Sequence, residues 1–286
     1  MKNNNITVVI LTFNEEIHIE RCIKSALQIT KNIIVIDSYS TDNTLGILKK
    51  NKIKVYQNKF IHQAAQINYA LKNIKIKTKW IFRLDADEVI EKKSIKDFGR
   101  NLNFIQNDIS GLDVNKNLIF MGKVINFGGI YPQKVVRIWR VGEGKYSDTW
   151  MDEHIILKNK KSFVNALITD HNLNNFSWWI KKHKQYARRE AVDHLLHRGQ
   201  KNYYSKKSKE IYYHSPILVR PLIYFCYRYF FKLGFLNSWQ GLIFDLLQGF
   251  IYRLYVDICI IKVSIFKRHK TISLKKAVKL LYGYDL

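Results

Sequence analysis

Acidic residues are scarce in this chain. Its 286 residues carry 23 Asp plus Glu against 48 Lys plus Arg, a formal charge of +25, and a surface so basic attracts nucleic acid, anionic lipid headgroups and phosphorylated substrates alike. Cysteine is also sparse. Cys22, Cys226 and Cys259 lie far apart, form no C-x-x-C pair and are odd in number, which excludes a disulfide framework and reads as reduced packing residues in a cytosolic protein. Long apolar runs are missing as well. The first sixteen residues contain only the six-residue run Ile6 to Leu11, too short for a signal-peptide core, so nothing indicates export. Between His214 and Phe266 the longest uncharged stretch, Leu233 to Phe244, is 12 residues, against roughly 18 to 20 for a simple transmembrane helix.

What is present is a hydrophobic content of 47%, ample for one large domain or for a compact domain with an extension. Residues Ile6 to Leu11 read as a buried strand, followed by a polar turn at Thr12 to Glu16 and an amphipathic segment through Leu27. The unit recurs, with a β-branched run at Asn32 to Ile36, a polar loop at Asp37 to Thr44 and a helix opening at Leu45. Lys52 to Tyr56 predicts a third strand. Gln63 to Ile74 has helical spacing with Ala64, Ile67, Ala70, Leu71 and Ile74 on one face, and leads into a strand at Lys79 to Leu84. Such alternation predicts an α/β fold on a mainly parallel sheet with helices on both faces.

In open sheets of this kind ligands collect at the carboxyl ends of the strands. Three polar clusters fall there: Thr12 to Glu16, Asp37 to Asp42 and Asp85 to Glu88. Asp85 and Asp87 are two residues apart, so on an extended segment they project to one side and can converge on a hard cation. Further on, Phe127 to Pro132 predicts a turn and Lys134 to Arg140 a strand containing Arg137. Trp150-Met151-Asp152-Glu153-His154 is a second acidic cluster, which also fits an exposed turn or the first turn of a helix. Gln63, Gln66, Asn68 and Arg137 are candidates for shaping acceptor or phosphate recognition.

The ordered set Val8 to Glu16, Ile34 to Ser38 and Arg83 to Glu88 resembles glycosyltransferase family 2, the inverting sugar transferases of the GT-A fold. The resemblance covers roughly residues 5 to 175. The later segments Trp150 to His154, Asp170 to Leu173 and Lys181 to Ala191 look like a subgroup acting in bacterial lipopolysaccharide, capsule or exopolysaccharide assembly. It implies that Thr12, Asn14, Glu15 and Asp37 line a nucleotide pocket, with Asp37 near the base or ribose. Asp85 and Asp87 would hold Mg²⁺ or Mn²⁺ against the donor diphosphate, Asp87 as the more direct ligand and His171 as a supplement. A cation there stabilises the departing diphosphate without a proton transfer. The acceptor proton needs a separate carboxylate. Glu153 is the first choice for that base and Asp152 the second; the family's familiar order is Glu-Asp, whereas this chain has Asp-Glu-His, which leaves the two roles open between them.

A catalytic region at 1–175, with nucleotide-sugar binding in about 1–110, is therefore expected to precede a helical extension at 176–286. From Ile155 to Leu286 there are 24 Lys plus Arg against 7 Asp plus Glu, so the extension holds most of the excess charge. Ser215-Pro216 predicts a helix start, Gly234 to Ser238 a break and Trp239 a second start. Charges recurring at Arg220, Arg228, Lys232, Asp245, Arg253, Asp257 and Lys262 suggest amphipathic helices lying in the plane of an anionic membrane surface, on the cytoplasmic face, with packing on the catalytic region or dimerisation as the other uses of such helices. Two other functions compete. A sugar-phosphate nucleotidyltransferase would show a Gly-rich basic loop near the first strand, and Leu11 to Glu16 has neither Gly nor Lys. A basic nucleic-acid-binding protein accounts for the charge and leaves the acidic clusters idle. The expected partners are a UDP- or GDP-linked donor, a saccharide or lipid-linked acceptor and no nucleic acid.

Overall fold

The computed structural model describes residues 5–95, 98, 102–147, 153–198, 200 and 207–284. Its first strand, β1 (Ile6–Thr12), alternates two buried faces. Ile6, Val8 and Ile10 join one apolar cluster while Val9 joins another, so both sides of the sheet must be covered. Helix α1 (Ile19–Ala26) and α2 (Thr44–Lys50) cover the first side through Ile19, Cys22, Ile23 and Leu48. Helix α3 (Gln63–Asn73) covers the second through Ala64, Ile67 and Ala70. Strands β2 (Ile33–Asp37), β3 (Lys54–Gln57) and β4 (Trp80–Asp85) complete a parallel half in the order β3-β2-β1-β4.

Beyond β4 the sheet becomes mixed. The short β5 (Glu88–Ile90) follows a turn at Ala86 and Asp87, and β6 (Ile109–Phe120), β7 (Lys123–Val124) and β8 (Gln133–Arg140) follow it. A two-stranded ribbon pairs β9 (Gly144–Tyr146) with β10 (Ile155–Leu157), and β11 (Lys160–His171) returns to the large sheet. Among the described residues the large sheet has nine strands, in the order β3-β2-β1-β4-β8-β6-β11-β5 with β7 against β6. Strand β8 runs antiparallel to both β4 and β6, whereas β6 and β11 are parallel. Trp80, Phe82 and Trp139 are fully buried, and Phe82 stacks on Phe98 with ring centroids 5.1 Å apart. Burying a side chain of this size stabilises by about 2 to 3 kcal/mol.

Two compact units emerge, residues 1–126 with 130–173, and residues 127–129 with 174–286. The second is helical. Helix α4 (Phe176–His197) is capped by the Asn175 side chain, which accepts from the Trp178 N–H. It packs through Ala187 and Ala191 on Val256, Cys259 and Ile260 of a later helix, together with Tyr213 of α5 (Lys207–His214). Helix α6 (Arg220–Cys226) continues as a π-helical turn to Phe231, and a short 3₁₀ turn spans Gly234–Leu236. A longer helical rod then runs through α7 (Trp239–Phe244), a π-helical turn (Asp245–Ile251) and α8 (Tyr252–Lys270), before α9 (Leu274–Tyr282). The expected start at Ser215-Pro216 falls between helices, because α5 ends at His214 and α6 opens only at Arg220 with Pro221 in its first turn. The break at Gly234 and the restart at Trp239 lie where the residues predict. All three cysteines are free, and among the described residues no helix is long and apolar enough to cross a membrane.

Candidate active site

The carboxyl ends of β1 and β2 are laced together by side chains. The Asp37 carboxylate is fully buried and accepts from the Thr12 hydroxyl at 3.1 Å, the Ser40 N–H at 2.9 Å, the Ser40 hydroxyl and the Gln57 amide. Asn14 takes a positive φ of 54°, a conformation Asn tolerates better than most residues, and its side-chain oxygen accepts the Thr41 N–H at 2.8 Å. Glu15 accepts from His18 Nδ1 at 2.6 Å while His18 Nε2 accepts the Leu173 N–H at 2.8 Å. That pair of bonds selects the neutral Nδ1–H tautomer. Thr12, Asn14, Glu15 and Asp37 are therefore close together, with much of their polar capacity spent on fixing the two loops. Phe13 and Tyr39 on the same loops stand exposed, and no sequence reading singled them out.

The end of β4 is more heavily charged. Asp85 gives one carboxylate oxygen to Arg83, at 3.0 Å from Nη2, and the other to Arg137 of β8, also at 3.0 Å. Glu88, fully buried, receives Arg137 and Lys116 of β6, and its second oxygen accepts the Asp85 N–H at 3.0 Å. Lys116 also meets Asp170 of β11 at 2.8 Å. Six side chains thus alternate in sign from Arg83 through Asp85, Arg137, Glu88 and Lys116 to Asp170. Burial raises the Asp85 carboxyl, and Arg137 and Arg83 outweigh it, leaving the group far below the usual carboxylate range. Asp170 goes the other way. Burial pushes it up to about 6, with Asp87 and Glu88 adding to the rise and Lys116 opposing it.

Asp87 is held differently. Its backbone carbonyl accepts from the Arg21 guanidinium at 3.2 Å and from the His171 N–H at 3.1 Å, while its carboxylate accepts the Asn172 amide at 3.0 Å. Arg21 also donates to the His171 carbonyl, so one guanidinium ties the β4–β5 turn to the end of β11. Burial, with Arg21 and His18 nearby, lowers the His171 pKa, which keeps the imidazole neutral and able to ligate. A half-buried carboxylate and a neutral imidazole suit a divalent cation. Asp85 is less available, since each of its oxygens faces a guanidinium. Among the described residues no three His, Cys, Asp or Glu side chains converge as a ready-made metal cluster.

A cavity of about 740 Å³ opens beside this network, lined by Asp85, Arg83, Arg137, Lys116, Tyr146 and Glu153 among others. Glu153 stands in the loop before β10, and burial raises its pKa while Arg83 lowers it. The structure therefore brings Asp85 and Glu153 to one cavity across 68 residues of chain. Asp152, with Trp150 and Met151, lies outside the described residues. Gln63 lines the cavity and accepts from Arg83 at 3.1 Å. Gln66 and Asn68 are occupied elsewhere. Gln66 bonds Ser38 and the Asn58 carbonyl, and Asn68 exchanges two bonds with the Tyr146 backbone at 3.0 Å each.

Residues 7–116 match the profile described as Glycosyl transferase family 2. That stretch is similar to glycosyltransferase family 2. Within it the chain is 34% identical over 88 residues to an uncharacterized glycosyltransferase of Rickettsia conorii, covering 31% of this chain and 30% of that protein. It is 33% identical over 96 residues to the SPbeta prophage-derived glycosyltransferase SunS of Bacillus subtilis, covering 31% of this chain and 21% of that one. The chain thus spans less than a third of the length of these curated relatives. Among solved structures, S. aureus TarS 1–349 aligns over 99% of this chain and 91% of its own, at 17% identity and a TM-score of 0.41. Glucosyl-3-phosphoglycerate synthase of Mycobacterium tuberculosis, solved with Mn²⁺, UDP and phosphoglyceric acid, aligns over 40% of this chain and 44% of its own, at 18% identity and a TM-score of 0.34. The matched stretch contains the strand ends that bear Thr12, Asp37, Asp85 and Asp87, and ends at Lys116. Glu153 and His171 lie beyond it.

Proposed function

We propose that this chain transfers a sugar, with inversion, from a UDP- or GDP-linked donor to a hydroxyl of a saccharide or lipid-linked acceptor in bacterial surface polysaccharide assembly. The observation that carries this reading is the single cavity shared by Asp85, at the carboxyl end of β4, and Glu153. The laced loops at Thr12 to Glu16 and Asp37 to Asp42 form a rigid floor for the nucleoside, with Phe13 and Tyr39 offering exposed rings to its base. Asp87 and His171 would hold Mg²⁺ or Mn²⁺, with Asp85 beside them. When bound, such a cation takes up charge developing on the departing diphosphate.

The chain's own residues do the rest. Arg83, Arg137 and Lys116 line the cavity wall, and their pairing with Asp85, Glu88 and Asp170 holds its charges in fixed places. Glu153 is the base that removes the acceptor hydroxyl's proton, and burial, which raises its pKa, makes it a stronger base than a solvated glutamate. Asp152 is the second choice for that role. The basic second unit supports a place at the cytoplasmic face of the cell membrane, where a lipid-linked acceptor would be met.

The test is release of nucleoside diphosphate from a panel of UDP- and GDP-sugars by the full chain, with saccharide and lipid-linked acceptors present. Release that needs Mg²⁺ or Mn²⁺, and that Asp87→Asn removes with the circular dichroism spectrum intact, is expected. Release indifferent to chelation and to Asp87→Asn would remove the cation from this reading. No release from any donor would overturn the transfer itself.

A further inference from the structure

One segment of the second unit, Ile217 to Ile251, buries most of its charges and leaves many large apolar side chains outside. Between Ile217 and Ile251, fifteen large apolar side chains are exposed, among them Phe230, Phe231, Leu233, Phe235, Leu236 and Trp239. Phe231 reaches 79% exposure and Trp239 61%. The charged residues of the same segment are Arg220, Arg228, Lys232 and Asp245, and three of the four are buried. Arg220 is paired with the fully buried Asp257, from Nε at 2.9 Å, and donates to the Tyr213 carbonyl at 3.0 Å. Arg228 meets the fully buried Asp245 at 2.6 Å and donates to the Gly128 carbonyl at 3.0 Å. Arg253 is drawn inward too, to Glu190 at 2.6 Å. The sequence suggests that these charges flank apolar faces and meet headgroups. They pair within the unit instead, because facing arginines and carboxylates can satisfy one another.

We infer that residues 217–251 form a hairpin that inserts into the hydrocarbon of one leaflet of a bilayer. This rests on the membrane-facing reading of the second unit and goes beyond adsorption at the headgroups. An element entering hydrocarbon needs its backbone groups paired within protein, and several at this turn are. Lys232 N–H donates to Tyr227, Leu236 N–H to Leu233 and Asn237 N–H to Gly234, while the Lys232 carbonyl accepts from Gly128. Lys232 is the exposed charge of the segment, and its ammonium lies back over the Tyr227 ring at 5.5 Å, the direction in which a lysine snorkels toward an interface. Twelve residues of helix from Arg220 to Phe231 extend roughly 18 Å, slightly more than half of a hydrocarbon core of about 30 Å.

Charge complementarity selects the bilayer over a second copy of the chain. Lys267, Arg268, His269 and Lys270 crowd the last turn of α8, and Lys275 and Lys276 follow in α9. Anionic headgroups are drawn to such a unit, whereas an identical unit brings the same sign and is repelled.

The experiment is flotation of the full chain with vesicles of phosphatidylcholine alone and with phosphatidylglycerol added, at low salt and at about 0.5 M NaCl, where surface charge is screened. In parallel, tryptophan emission is read against lipids brominated at mid-chain. Insertion predicts flotation with neutral vesicles at high salt, and quenching of the part of the emission that Trp239→Phe removes. The double change Phe231→Ser with Trp239→Ser, at two exposed positions, should lower the partition coefficient at least tenfold with the fold retained. Flotation confined to anionic vesicles at low salt, without quenching, would overturn insertion and leave headgroup adsorption standing. Failure to float under any condition would overturn both, as would a dimer dissolved by the double change in a chain that never floats. Nucleotide release measured in the same preparations reports separately on the transfer reaction.

Discussion

The two units solve the burial problem in opposite ways. The first hides Trp80, Phe82 and Trp139 completely and turns Arg83, Asp85 and Glu153 toward a cavity. The second hides Arg220, Arg228, Asp245 and Asp257 and leaves Phe231 and Trp239 outside. The first arrangement suits water as solvent, because apolar area leaves it and its buried ion pairs border an open cavity. The second is costly in water, since paired ions have lost hydration and apolar area has not. Identical residue types therefore have different energetic meanings in the two units, and substitution can show it.

The largest difference is expected at the cavity. Glu153→Gln should lower transfer by about 10² to 10⁴-fold, the range for loss of a general base. Wild-type rate against pH should show an acid limb above the ordinary glutamate value, because burial raises this group and only the ionised form accepts a proton. Loss of that limb in the variant, at unchanged donor affinity, distinguishes a base from a residue that merely shapes the pocket. Near-normal transfer would remove Glu153 from the chemistry.

Next come the two kinds of core. Phe82→Ala should cost about 3 to 5 kcal/mol by opening a cavity, and Arg220→Ala a similar amount by leaving Asp257 buried without its partner. Urea unfolding measures both. A cost below about 1 kcal/mol for Arg220→Ala would mean that water reaches Asp257 and that the interior of the second unit is not dry.

A smaller effect is expected from acid. Burial raises the Glu190 carboxyl, but Arg253 and the hydroxyls of Tyr252 and Tyr213 outweigh it and hold the group at about 2, below its ordinary 4.5. A carboxyl depressed on folding contributes stability that is complete above 4.5 and is lost as pH falls toward 2. The contribution is about 3 kcal/mol. Glu190→Gln should flatten acid unfolding of the helical signal in that window. The smallest effect belongs to Phe231→Ser, which should alter stability in water by about 0.5 kcal/mol or less because the ring is already exposed.

The parallel half of the sheet was legible in the residues. Ile6 to Leu11 predicts β1, Gln63 to Ile74 predicts α3 and Lys79 to Leu84 predicts β4, each within a residue or two of its observed bounds. Local periodicity sets those elements, and the runs are strong. The charge network was not legible. Arg83, Glu88, Lys116 and Arg137 meet only because β8 and β6 enter the sheet beside β4, a pairing of distant segments that no local pattern encodes. The inward turn of the second unit's charges did leave a trace. Asp245, Gly249, Arg253 and Asp257 recur every four residues, which places them on one face of a helix. Gly249, where an added Cβ would sit in ordinary contact with the Arg228 side chain at 3.6 Å, lies on that same face.

The alternating row from Arg83 to Asp170 has a consequence for how this chain can drift over generations. Three cations and three anions balance, and each interior member touches two neighbours of opposite sign. Neutralising one member strands its neighbours, whereas neutralising an adjacent pair removes one charge of each sign and restores the balance. Changes along this row are therefore strongly non-additive, and descendants should depart from it two positions at a time, each replacement tolerated only in the company of the one beside it.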